Sequence, residues 1–198
     1  MKILVVGATG TLGKEVVRLL KARHDVIEAS RASTAVKVDL ADPASIRALF
    51  HSISPVDAVV SVAGEAKFAP LDKLSDADFE FSLKSKLMGQ VNLVRIGLEC
   101  VRANGSIAVT TGVLSHSPMP GSAAISLVNA GLEGFARAAA LEAPRGIRVN
   151  AVSPPWATET LRQFGMDVSK GKPAAEIAAL FVRAVEGSDR GAVIQFSR

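Results

Sequence analysis

The sequence predicts an α/β protein built on one doubly wound parallel sheet of six or seven strands, with helices on both faces in three αβα layers. Three observations carry this expectation. Short apolar runs alternate with helical patterns from end to end. The apolar runs are continuous rather than alternating, which means burial on both faces and hence a parallel sheet between helices. A glycine-rich turn directly follows the first run and opens the first helix. In order, strands are expected at 2–6, 25–29, 36–38, 58–62, 106–110, 148–152 and 192–195. Helices are expected at 12–22, 44–52, 76–102, 122–142 and 174–186. Turn and cap residues such as Asp42-Pro43 and Gly171-Lys172-Pro173 mark the breaks. No repeat or linker divides the 198 residues, and that length suits one well-buried core.

Composition narrows the function. No uncharged apolar run reaches about 18 residues, so no membrane span is expected, and Lys2 followed at once by a short strand does not read as a signal peptide. Cys100 is the only cysteine, which excludes internal disulfides and suits a cytoplasmic protein. No histidine–carboxylate set has metal-ligand spacing, so no metal is expected. The net charge of +4 is dispersed, with no block of like charges, and nucleic-acid binding is not expected.

The turn Gly7-Ala8-Thr9-Gly10-Thr11-Leu12-Gly13 has the chemistry of a phosphate cradle. Glycine is needed where the chain bends, where backbone approaches pyrophosphate, and where helix packs on strand. The following helix end presents free N–H groups and the positive end of its dipole. At the end of the second strand, where an acidic side chain would accept from a ribose 2′-hydroxyl, stand Ser30 and Arg31. A guanidinium pairs with a 2′-phosphate through two parallel hydrogen bonds, so NADP(H) is expected over NAD(H).

With the second half of the chain, these features resemble the short-chain dehydrogenase/reductase family. Gly146-Ile147-Arg148-Val149-Asn150-Ala151-Val152-Ser153-Pro154 is similar to that family's sixth strand and following turn. Gly105-Ser106-Ile107 is similar to the start of its fifth strand, and Ser61-Val62-Ala63-Gly64 to its Asn-Asn-Ala-Gly turn. Val38-Asp39-Leu40 matches the place of its adenine-recognising aspartate. The resemblance implies a single NAD(P)-binding Rossmann domain over residues 1–198. It also implies a cofactor held by Gly7, Thr9, Gly10, Thr11, Leu12, Gly13, Ser30, Arg31, Asp39, Leu40, Ala63, Gly64, Asn129 and Pro154.

The departures from the family bear on the chemistry. The chain contains no tyrosine. Alignment on Ala130-Gly131-Leu132-Glu133-Gly134 puts Ile125 at the family tyrosine, Asn129 at its lysine, Gly112 or Thr111 at its serine, and Lys86 at its asparagine. Ile125 donates no proton. Losing a positioned general acid costs about 10²–10⁴ in rate. Lys86 is the candidate replacement, as a proton donor or oxyanion stabiliser, against the alternatives of an ion pair with Asp78 or exposure on its helix. Thr111, Ser115 and Asn129 complete the candidate catalytic set, Asn129 by hydrogen bonding to ribose hydroxyls. His116, an imidazole suited to proton transfer, is expected at a turn. Only 157–172 remain for a substrate lid, so an open pocket is expected.

The expected function is NADP(H)-dependent hydride transfer to a small carbonyl compound with an unusual catalytic set. The alternative is a cofactor-binding sensor or scaffold without chemistry. Small residues crowd the helix at 122–142, the family's dimer helix, so a homodimer or homotetramer is expected.

Overall fold

The computed structural model describes residues 1–53 and 55–196. Its strands are β1 (Lys2–Val6), β2 (Asp25–Ser30), β3 (Val36–Lys37), β4 (Val56–Ser61), β5 (Val101–Thr110), β6 (Arg148–Val152) and β7 (Val193–Ile194). All pair in parallel in the order β3-β2-β1-β4-β5-β6-β7. The helices are α1 (Thr11–Lys21), α2 (Pro43–Ile53), α3 (Asp76–Ser82), α4 (Gly89–Cys100), α5 (Ala123–Glu142), α6 (Thr158–Gln163) and α7 (Ala174–Glu186).

Two apolar layers flank the sheet. On one face, α2, α4 and α5 contribute Ile46, Phe50, Leu93, Val94, Leu132 and Ala136 against Leu4, Val59, Ile107 and Val149. On the other, α1 and α7 contribute Val16, Leu20, Ile177 and Phe181 against Ile3, Val5, Val60 and Ala108. Helix α1 shows why its sequence folds this way: Gly13, Val16, Val17 and Leu20 recur at helical spacing and are the residues it buries. Burying a side chain such as Leu20 or Phe181 contributes roughly 1.5–3 kcal/mol.

The expected long helix at 76–102 is interrupted. Between α3 and α4 the backbone widens into a π-helical stretch, Leu83–Met88, and α4 ends at Cys100. Strand β5 therefore starts at Val101, five residues before its expected start at Ser106. The Arg145 guanidinium donates to Leu98 O and Val101 O. Asn104 sits at φ 62, and the β4–β5 register shifts between Val56 and Ala58. These features let the chain pass from helix into strand without a loop.

The expected lid also contains structure, α6 and a 3-10 turn at Val168–Lys170. Lys172 N donates to Trp156 O at 2.9 Å, and Thr158 N to Lys172 O at 3.0 Å, closing the loop at its base. No helix is long and apolar enough to cross a membrane among the described residues.

Candidate active site

The strand order reverses between β1 and β4, which opens a crevice at their carboxyl ends where such folds bind ligands. The Gly7 turn fills its base. Gly7 has φ +86, and a Cβ there would lie 2.7 Å from Val62 O. A Cβ on Gly13 would meet Gly7 O at 2.0 Å, so that glycine is required for α1 to pack on the turn. Gly10 precedes α1 without a side-chain cap, and no acidic residue stands in the first turn, where Thr11 begins the helix. The N–H groups of this helix end are thus left for an anionic ligand.

Two cavities meet at Val62, Ala63, Gly64 and Glu65. The smaller, about 300 Å³, is lined by Gly7, Thr9 and Gly10 from the turn and by Ser30, Arg31, Asp39 and Leu40 from the next two strand ends. Ser30 Oγ accepts from Ser33 N at 3.0 Å and Asp39 Oδ1 from Ala41 N at 2.9 Å, so both side chains also shape their own turns. Arg31 lies exposed at the lip, 3.5 Å from Glu65. Such an exposed pair is weak and readily exchanged.

The larger cavity, about 510 Å³, is lined by Leu12, Lys86, Thr111, Ile125, Asn129, Pro154 and Trp156 among others. Lys86 stands half-buried on the π-helical stretch, a feature frequent at functional sites, and lines the cavity. Close approach of backbones fixes it there: a Cβ on Gly64, at φ +109, would lie 3.0 Å from Lys86 Cα. Desolvation lowers the Lys86 pKa from its ordinary 10.5 to about 8. Its alternative partner Asp78 is engaged elsewhere. Asp78 caps α3 through Ser75 and lies 3.8 Å from Lys67, and the Ser75 hydroxyl and backbone N–H hold its carboxyl below the usual range. Ile125 and Asn129, one helical turn apart on α5, face the same cavity. Asn129 Nδ2 donates to Gly112 O at 3.5 Å, while its buried Oδ1 has no partner among the described residues. A buried acceptor without a donor costs about 1–3 kcal/mol, and a ribose hydroxyl is a fitting donor. With the glycine turn, these residues fit a nicotinamide dinucleotide.

The hydroxyls of Thr111 and Ser115 are directed differently from their expected use. Ser115 Oγ donates to Glu133 Oε1 at 2.6 Å and lies 3.0 Å from His116 Nδ1. Thr111 Oγ1 lies 3.3 Å from the same Glu133 oxygen and 3.2 Å from Val152 O. Thr111 borders the cavity, whereas Ser115 is bound to α5, and His116 is exposed beside it. Glu133 was not among the expected residues. Its signal was its spacing: four residues after Asn129, it shares that residue's helix face. Gln90 was also missed. Its amide accepts from Thr110 N at 2.7 Å and donates to Thr110 O at 2.9 Å, pinning the end of β5 to α4. Among the described residues no three of His, Cys, Asp and Glu gather as a metal site.

Parallel strands, a glycine turn at the switch point and a paired crevice define a doubly wound fold of the Rossmann type. The chain belongs to the short-chain dehydrogenase/reductase family, as residues 9–196 match the family model described as enoyl-(acyl carrier protein) reductase. The protein lin1944 from Listeria innocua superposes with a TM-score of 0.94 at 37% identity, over 100% of both chains. A small-chain dehydrogenase solved in complex with NADPH superposes with a TM-score of 0.87 at 26% identity, over 100% of this chain and 96% of that one. Carbonyl reductase (NADPH) 2 of Sus scrofa is 27% identical over 188 residues, 85% of this chain and 75% of its own. Hydroxynaphthalene reductase of Aspergillus fumigatus is 27% identical over 68% of this chain, which spans only 52% of that relative.

Proposed function

We propose that this chain is an NADP(H)-dependent reductase of a small carbonyl compound, with the Lys86 ammonium in place of the usual tyrosine acid. The observation that carries the reading is Lys86 on the wall of the same cavity as Asn129, backed by Gly64, where desolvation lowers its pKa to about 8. The cofactor supplies hydride at its nicotinamide. Gly7, Thr9, Gly10, Thr11, Leu12 and Gly13 hold its phosphates, and Asp39, Leu40, Ala63 and Gly64 border its adenosine half. Arg31 exchanges Glu65 for the 2′-phosphate, which favours NADP(H). Asn129 Oδ1 accepts from a ribose hydroxyl, and Pro154 backs the nicotinamide side. Lys86 donates to the substrate oxygen as charge gathers there. Thr111 and Ser115 serve by holding the β5 end against Glu133 rather than by touching substrate.

One observation favours a second reading, a cofactor-binding sensor without chemistry: Ile125 occupies the cavity wall where the family places its acid. A panel of carbonyl compounds with NADPH, run on the wild type and on Lys86→Met, separates the two. The reductase reading expects turnover that falls about a hundredfold in the variant. Turnover unchanged by the substitution would remove Lys86 from the mechanism.

The exposed residues of α5 are small or apolar at Leu127, Ala130, Gly131, Gly134, Ala138 and Leu141, with the charged Arg137 and Glu142 beside them. This supports a homodimer or homotetramer packed through α5. The reading places the reaction in the cytoplasm, with a small molecule rather than a nucleic acid or membrane as partner.

A further inference from the structure

We infer that the carbonyl substrate is a flat, electron-poor ring dicarbonyl of the quinone class, held against Trp156 and Phe81 with one oxygen on the Lys86 ammonium. The inference rests on the reductase reading above and names its substrate. Two independent features lead to it.

The first is the acid the cavity lacks. Reducing an ordinary ketone produces an alkoxide, whose conjugate acid is about as weak as water. Such an anion needs a proton donor in place as it forms. Here Ile125 lines the wall, and the Thr111 hydroxyl is shared between Glu133 and Val152 O. Reducing a quinone instead produces a phenolate-type anion, its charge spread over a newly aromatic ring, with a conjugate acid near pKa 10, about that of a tyrosine phenol. That product asks less of the acid lining the cavity, the Lys86 ammonium, which donates to the oxygen as charge gathers there. The other charged residues lining the cavity are Glu65, 3.5 Å from Arg31, and Lys67, which lies over the Phe81 ring.

The second is the wall itself. Phe81 and Trp156 line the cavity, and Phe68 and Phe164 each meet Trp156 edge to face at 6.4 Å, with interplanar angles of 86° and 89°. Phe68, Phe81 and Phe164 are all exposed, although large aromatic groups are normally buried. Trp156 is the chain's only tryptophan, and its electron-rich indole favours an electron-poor ring in an offset stack. The reaction balances as a two-electron reduction. One quinone oxygen takes the hydride, the C–H bond of the reduced nicotinamide breaking as the O–H bond forms, and the charge gathers on the opposite oxygen, which takes a proton from Lys86 to complete the hydroquinone. Lys86 then regains its proton from water.

Duroquinone is the probe, because its fully methylated ring has no open carbon for addition of an amine or of the Cys100 thiol. Menthone, a saturated ring ketone of similar size, is the comparator. Quenching of Trp156 by duroquinone is titrated on the protein without nucleotide, and NADPH consumption is then followed with each compound. The expected results are saturable quenching, weakened about five- to tenfold in both Phe81→Ala and Phe81→Leu, and a kcat/KM for duroquinone about a hundredfold above that for menthone. Phe81 is exposed, so both variants are expected to fold, and circular dichroism checks this. Unsaturable quenching, or equal use of both compounds, overturns the inference. NADPH binding is titrated in parallel. If NADPH binds while duroquinone does not, this inference alone is overturned, whereas failure of NADPH to bind overturns it together with the reductase reading.

Discussion

Lys86 is an ionisable group that the fold holds against its own stability. Its folded pKa of about 8 lies below its ordinary 10.5, so between those pH values the unfolded chain binds more protons and stability rises with pH. Below about pH 8 the desolvated charge costs up to about 3 kcal/mol. Lys86→Met is therefore expected to melt higher than the wild type at pH 7, with the gap narrowing toward pH 10, by scanning calorimetry at both values. The acid role has the opposite sign. The proposed turnover should hold steady up to about pH 8 and fall above it as the ammonium loses its proton. A kcat/KM profile that stays flat to pH 10 would contradict Lys86 as the donor. Lys86 was legible because the family alignment brings it before Gly89 on a long helix. Glu133 offered only its spacing from Asn129, since a carboxylate in an alanine-rich helix looks solvent-facing until β5 is laid beside it.

At the scale of elements, Glu133 clamps the end of β5 to α5 through two hydroxyls. Glu133→Ala would leave Thr111 and Ser115 without that acceptor and is expected to cost about 1–3 kcal/mol in urea denaturation. Glu133→Gln keeps an acceptor and should lose less, and identical midpoints for the alanine variant and the wild type would show the clamp to be idle. The main elements were readable from apolar runs and helical spacing, to within a few residues at most of their ends. The β5 start and the π-helical stretch were not. Both depend on contacts distant in sequence, Arg145 on the α4 end and Gly64 against Lys86, which no local pattern encodes.

At the scale of the whole molecule, the seven-stranded parallel sheet follows from continuous apolar strands, and the crevice follows from the reversal of strand order beside Gly7. The glycine-turn part of the candidate site was legible because glycine turns leave a strong local signature. In the larger cavity Lys86 and Asn129 were legible as substitutions at family positions, whereas the Glu133 and Gln90 contacts were not, because they depend on how β5 packs on α4 and α5. Association through α5 predicts a sedimenting mass that is a multiple of 20.6 kDa. It also predicts a shift toward monomer in Leu141→Glu, a charge placed on the most exposed large apolar side chain of that helix. A wild-type chain that sediments only as a monomer would contradict it.

The central claim, a formed site for NADP(H), is tested most directly by calorimetric titration with NADPH and NADH, following energy transfer from Trp156 in the same samples. The account predicts that NADPH binds at least about tenfold more tightly than NADH, a difference of about 1.4 kcal/mol from Arg31 on the 2′-phosphate, with transfer from Trp156 to the bound nicotinamide. Equal affinity for the two nucleotides would contradict the assignment of Arg31, and binding of neither would contradict the function proposed for the fold.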